Sequence, residues 1–315
     1  MRIVHVTDRR FPPCADEGGA PQSLLSLYEE QRRQGHDVWV ATSRGSDGAD
    51  IWSLGANGSR LLSLLAKIRD YAVDVVHFHA YAAEMQAELH AAGIASVTHV
   101  RGNHAGGTPA EVNPIYVSRR HADIHGGEVY VHNGIAVGDL AFQSGAQDYI
   151  AFLGKVRRSK KGADLAVSVA KRTQRQLMLV GGRKFSVPET WLPFQRWVRA
   201  LGVLAGDEKF AVLRNASALL FPIRWEEPFG LVLIEAMACG TPVIAFDRGA
   251  VREIVRDGVT GFIVHDFNEM CEAVERIDQI DRAACRRHVV ENFSIERTAH
   301  GVMECYRRAI AGERW

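Results

Sequence analysis

The chain has 315 residues, 47% of them apolar and 24% charged, a composition of ordinary globular protein long enough for two domains. Its 38 basic and 37 acidic side chains leave a net charge of +1, so no global field draws it to nucleic acid or to a membrane surface. Its five cysteines are widely spaced with no C-x-x-C pair, which argues against a disulfide framework or zinc site and suits a reducing compartment.

The opening MRIVHVTDRR reads as a first strand over 2–7 and lacks the apolar core of a signal peptide. No apolar run reaches membrane-spanning length, so the expected setting is cytoplasmic, with peripheral membrane attachment left open. A helix over 21–34 follows a Pro/Gly-rich loop. Strands are predicted over 37–42, 74–79, 96–100, 115–118 and 129–132, with helices over 59–70 and 82–92 between them. Segment 132–147 has little periodicity and reads as a linker. A second series then begins, with strands over 149–153, 176–180, 218–221, 242–245 and 261–264. Its helices fall over 163–172, 207–215, 230–238, 251–256 and 267–277, and a long helix closes the chain over 295–310. Strands alternating with helices predict an α/β class, two doubly wound parallel sheets. Domains are expected over 1–140 and 141–294, with 295–315 packing back on the first. Ligands of such sheets bind outside the carboxyl ends of the strands, so a cleft between two facing sheets is the default site.

The stretch EEPFGLVLIE, 226–235, sets a glutamate in an apolar helix. A helix apolar all round is a buried one, and an ionised carboxylate there needs a partner. Two readings of Glu235 stand: a salt bridge to a core arginine, or a carboxylate that accepts hydrogen bonds from vicinal hydroxyls such as those of a ribose. The helix start at Phe229-Gly230-Leu231 offers unpaired N–H groups to an anion. Segment 152–167, FLGKVRRSKKGADLAV, carries Lys155, Arg157, Arg158, Lys160 and Lys161. It is either a solvated basic loop or an anion cradle. No aspartate-rich metal motif is present.

Residues 226–264, EEPFGLVLIEAMACGTPVIAFDRGAVREIVRDGVTGFIV, resemble the signature block of the retaining nucleotide-sugar glycosyltransferases of family four, which have the GT-B fold. Gly18-Gly19-Ala20, Gly35-His36-Asp37-Val38, DVVHFH, HNGI and FSIERTA fall in the same order as in that family. The resemblance implies transfer of a sugar from a nucleoside diphosphate, UDP favoured, to a hydroxyl of a carbohydrate, lipid or small-molecule acceptor, with retention. It implies that Glu235 holds the donor ribose, so that ligand rather than protein satisfies the buried acid. Glu227 would lie beside the transferred sugar, and the amides of Phe229, Gly230 and Leu231 would meet sugar and diphosphate. Lys155 and Lys161 would neutralise the leaving diphosphate in place of a metal. No cofactor, no metal and no nucleic-acid partner is expected.

Gly19 would contact a donor phosphate. In THVRGNHAGG, 98–107, the family commonly places a histidine near the reacting centre. His104 is named as that catalytic residue beside Glu227 and Lys161, while the register leaves Arg101 and His99 open. Only about ten residues separate this motif from the next strand, which suggests a small or open acceptor site. Two alternatives stand beside the transferase: a nucleotide-sugar epimerase on the same fold, and a non-catalytic subunit of a transferase complex.

Overall fold

A computed structural model of the chain describes residues 1–14, 17–44, 49–54, 60–80, 83–103, 112–182 and 196–315. Its contacts divide the chain into two units. One comprises Met1–Gly134 with Ile295–Trp315, the other Ile135–Ser294.

The first unit runs β1 (Arg2–Thr7), α1 (Gly19–Arg33), β2 (Asp37–Thr42), β3 (Ile51–Ser53), α2 (Arg60–Asp70), β4 (Val75–Phe78), α3 (Ala83–Ala91), β5 (Ser96–Val100), β6 (Pro114–Tyr116) and α4 (Arg119–His125). Its six strands lie in the order β3-β2-β1-β4-β5-β6, all parallel. Parallel strands are covered on both faces, which is why β1 reads as a continuous buried run after its first residue. The period of two splits it cleanly. Ile3 packs with Leu27 of α1, while Val4 and Val6 pack on the opposite face with Leu64 of α2 and Leu89 of α3.

The second unit runs β7 (Tyr149–Leu153), α5 (Ala163–Thr173), β8 (Gln176–Val180), β9 (Val198–Gly202), α6 (Gly206–Asn215), β10 (Ala218–Phe221), α7 (Leu231–Ala238), β11 (Val243–Phe246), α8 (Val251–Ile254), β12 (Gly261–Val264), α9 (Phe267–Glu275) and α10 (Arg282–Asn292). Its strand order, β12-β11-β10-β7-β8-β9, repeats the scheme of the first sheet. The closing helix α11 (Ile295–Ile310) returns to the first unit, where Val302, Met303 and Tyr306 join Ile3, Val38 and Val75 in one core.

Several elements differ from the sequence expectation, for local reasons. Segment 129–132 makes only an isolated bridge, Tyr116 with Tyr130, at the outer edge of β6. β3 and β9 were not predicted: β3 is a three-residue edge strand, too short for periodicity. α10 is arginine-rich and only weakly amphipathic, and its sign is the cap, where the Asp281 carboxylate accepts from the amides of Ala283 and Ala284. The segment read as a linker is held by that same helix. The Arg286 guanidinium donates to the carbonyls of Leu140 (2.6 Å), Ala238 (2.7 Å) and Val137 (3.0 Å). Arg282 donates to the carbonyls of Gln143, Ala216 and Arg214 at 2.6–2.9 Å. Carbonyls left over at a helix end and in a loop are thus satisfied by two guanidinium forks. Removing one fork as Arg286→Met should destabilise the second unit by about 1.5–3 kcal/mol, the worth of hydrogen bonds to a charged group. Urea unfolding of the variant and the parent protein measures this.

Candidate functional site

In the second sheet the strand order reverses between β7 and β10, and ligands of open α/β sheets bind at such a switch point. The loop after β7 carries Lys155–Lys161, and the loop after β10 carries Trp225 and Glu227. Two glycines permit the close packing, one between these two loops and one, in the loop after β11, against the second of them. Gly162 has φ +73, and a Cβ there would sit 1.9 Å from the Pro222 carbonyl oxygen. Gly249 has φ +58, and its Cβ would meet the Glu227 backbone at 2.3–2.4 Å. Arg224 adds a polar clamp. Its amide donates to the Lys160 carbonyl (2.8 Å), and its guanidinium reaches the Ser159 carbonyl (3.0 Å) and both Asp164 oxygens.

The result is a compact charged group. Lys161 Nζ lies 2.5 Å from Glu227 Oε2, and the Trp225 indole N–H donates to the same oxygen at 2.9 Å. Lys160 Nζ stands 3.4 Å from the centre of the Trp225 ring, a cation–π contact. Burial, then the neighbouring Lys161 and Arg158 cations, lower the Lys160 pKa, with Glu227 opposing them. Both side chains of the ion pair are mostly buried, at 21% and 13% exposure, so the attraction is screened less than at a surface. Glu227 Oε1 makes no hydrogen bond among the described residues.

Glu235 lies in the first turns of α7, whose other side chains from Val232 to Ala238 are buried. It has a protein partner: Lys209 of α6 donates to its Oε1 at 2.9 Å. The reading in which ligand alone satisfies this acid is therefore corrected. The salt-bridge reading was right in kind and wrong in partner, a lysine standing where an arginine was expected. An eight-residue apolar helix cannot hold a bare carboxylate, and α6 packs close enough to supply the cation. Oε2 makes no hydrogen bond among the described residues.

The other predicted residues fall as follows. Phe229 is buried, and Gly230, at φ +97, caps α7 with no side-chain hydrogen bond, so its first amides stay open. Leu231 opens the helix and is half-buried. Lys155 is exposed beside this group and has no carboxylate partner among the described residues. In the first unit, Gly19 is exposed as the first residue of α1, after Gly18, whose side-chain position is open space. His104 lies outside the described residues. Arg101 and His99 belong to a polar cluster at the end of β5 in the first unit. Sequence reasoning missed Trp225, Arg224 and Lys209. The first two adjoin the signature block, whereas nothing local marks Lys209, 26 positions before its partner. Gly162→Ala should cost more than about 1–3 kcal/mol, through strain plus the clash with Pro222. Gly258→Ala, also at positive φ but with nothing within 4 Å, should cost only about 1–2 kcal/mol. Paired urea midpoints check the difference.

Residues 147–279 match the family model for glycosyl transferases group 1. The chain is 33% identical over 186 residues to the D-inositol 3-phosphate glycosyltransferase of Rhodococcus erythropolis, covering 51% of this chain and 41% of that protein. It is 32% identical over 186 residues to the glycogen synthase of Mycobacterium tuberculosis, covering 56% and 43%. The chain thus spans less than half the length of these relatives. Among solved structures, AviGT4, a glycosyltransferase involved in avilamycin A biosynthesis, matches the whole of both chains at TM-score 0.78 and 24% identity. HepE of Anabaena, solved in complex with UDP, matches 96% of this chain and 99% of its own at TM-score 0.74 and 17% identity. The two doubly wound parallel sheets are those of the GT-B fold, and residues 147–279 are similar to the glycosyl transferases group 1 family.

Proposed function

We propose that this chain is a retaining glycosyltransferase that moves a sugar from a nucleoside diphosphate, UDP favoured, to an acceptor hydroxyl without a metal. The reading rests above all on the Lys161–Glu227 pair at the switch point of the second sheet, where Gly162 lets the loops after β7 and β10 pack closely. The match of this unit to the group 1 model supports it, as do UDP and UDP-glucose in the structures of HepE.

In this reading the amides of Phe229, Gly230 and Leu231 and the cations Lys155 and Lys161 receive the diphosphate. Exposed Gly19 is the first-unit residue proposed for a phosphate contact. Glu235 Oε2 accepts from a ribose hydroxyl, while Lys209 holds Oε1 and fixes the carboxylate. Glu227, held by Lys161 and Trp225, orients the transferred sugar and opposes the positive charge that develops on it. The bond from the anomeric carbon to the diphosphate oxygen breaks. The acceptor oxygen bonds to the same face of that carbon, and its proton passes to the departing diphosphate. Lys161 then stabilises charge that grows only as the bond breaks, which is the condition for raising turnover. The same reading places the acceptor among carbohydrates, lipids or small molecules of glycan or glycoconjugate synthesis.

Incubation with labelled nucleotide sugars tests the reaction class. Transfer, or slow hydrolysis, supports the transferase; isomer formation would point to an epimerase, and silence to a non-catalytic subunit. Lys161→Ala should lower kcat by about 10²–10³-fold, as loss of a comparable charge stabiliser does. Activity within twofold of the parent protein would remove Lys161 from that role. A chelator should leave activity unchanged. In a melting panel of UDP, GDP and ADP, the matching nucleotide at 100 times its Kd should add about 2.7 kcal/mol of stability. Glu235→Ala should abolish most of that gain, and an undiminished shift would rule out the ribose contact.

A further inference from the structure

The first unit holds a second polar cluster, built from elements far apart in sequence. His5 of β1 and His77 of β4 are register partners, and His79 follows two residues on, on the same face. His99 of β5 completes the row. Ring centroids lie 4.1 Å apart for His77 and His79, 5.1 Å for His5 and His77, and 5.3 Å for His77 and His99. His5, His77 and His99 are at most 3% exposed. Burial lowers the pKa of His5 to about 4. Burial and neighbouring cationic groups, Arg101 among them, hold His77, His79 and His99 well below the usual range. All four imidazoles are therefore neutral near pH 7.

The hydrogen-bond chain fixes where their protons sit. Gln31 Nε2 donates to the Tyr306 hydroxyl at 3.2 Å, so its Oε1 accepts from His5 Nε2 at 2.8 Å. His5 Nδ1 is then bare and accepts from His79 Nε2 at 2.8 Å, which leaves His79 Nδ1 bare. The Tyr306 hydroxyl, already accepting, gives its proton to His77 Nδ1 at 2.6 Å, which leaves the proton of His77 on Nε2. Arg101 Nη2 donates to His99 Nδ1 at 3.4 Å, which leaves the His99 proton on Nε2. Arg101 Nη1 donates to Asn133 Oδ1 at 2.9 Å. What remains is a set of buried atoms with no partner among the described residues: the N–H donors at His77 Nε2, His99 Nε2 and Arg101 Nε, and the acceptor at His79 Nδ1.

Buried donors without acceptors are costly, and a buried cation without a counter-charge more so. Arg101 has no carboxylate partner among the described residues, and burial lowers its pKa to about 10. The cluster lies at the carboxyl ends of β4 and β5, next to the switch between β1 and β4 where the first sheet reverses its order. It reaches the surface through His79 and Arg101, both partly exposed. A metal ion is the competing occupant, because His5, His77 and His79 offer ligand atoms within 4.8 Å of one another. It would have to break the His5–His79 hydrogen bond and take a double positive charge beside Arg101. An oxyanion instead meets the free donors and the free charge together.

We propose that the first unit binds an oxyanion through Arg101, His99 and His77, and, resting on the transferase reading, that this anion is a phosphate or carboxylate carried by the acceptor. The bare His79 Nδ1 accepts from a hydroxyl next to that group. A neutral acceptor would leave all of these atoms unmatched.

The test is a titration of the full chain, ¹⁵N-labelled at histidine, with inorganic phosphate and separately with acetate. Excess UDP is present to occupy the basic loop of the second unit. The melting shift with UDP alone reports on the transferase reading, so the two failures are distinguishable. Saturable movement of the His77 and His99 Nε2 resonances is expected, with Arg101→Gln weakening it at least tenfold and Arg101→Lys less. A response to phosphate alone assigns a phosphorylated acceptor; a response to acetate assigns a carboxylate. Resonances unmoved by either anion, or moved equally in Arg101→Gln, overturn the proposal. So does stoichiometric Zn²⁺ binding to these histidines. Should Arg101→Gln fail to fold, the titration of the parent protein decides alone.

Discussion

The carbonyl oxygen of Pro222 occupies the space where a side chain at 162 would begin, and the backbone of Glu227 does the same for position 249. These two close approaches are possible only for glycine: the first lets the loop after β7 pack on the loop after β10, and the second lets the loop after β11 pack on that same loop. The Lys161–Glu227 pair depends on the first of these contacts. Lys161 and Glu227 are 66 residues apart and meet because the backbones beneath them cannot separate. Trp225 and Arg224 occupy the same seam, one bonding Glu227 and the other fastening Lys160 and Asp164.

Two carboxylates of the signature block are each paired with a lysine from another element, Glu227 with Lys161 and Glu235 with Lys209. A half-buried acid whose two oxygens are treated differently, one bonded and one open, is held in place yet still able to accept. That arrangement serves binding better than a bare carboxylate would. A bare one in an apolar helix would shift its protonation or disturb the fold, whereas a pre-paired one keeps its charge and its rotamer. The lysines are in this sense positioning groups as well as counter-ions.

The two units repeat one strand order but differ in what they gather at the switch point. The second gathers lysines and carboxylates on loops. The first gathers neutral imidazoles on the strands themselves, with one guanidinium. The difference follows from depth. Loop groups stay close to water and keep their charge, while histidines on central strands lie under α1 and α11 and can be buried only when neutral. Tyr306, on the last helix, completes the first unit's network, so that helix serves the polar chemistry of the first unit as well as its core.

The sequence by itself determined the two strand–helix series, the parallel sheets, the long last helix and the block 226–264 with Glu227 and Glu235. These are local properties: periods of two and 3.6, glycine at turns, and residue types at short spacing. It left β3, β9, α4 and α10 unread, because edge strands and short or weakly amphipathic helices carry little periodic signal. Only the tertiary structure decided that Lys209 answers Glu235, that Lys161 and Trp225 both bond Glu227, and that His5, His77 and His79 share one hydrogen-bond chain with His99 stacked beside it. Such pairings span 26 to more than 200 residues, and strand order and helix packing, not sequence spacing, set which side chains meet.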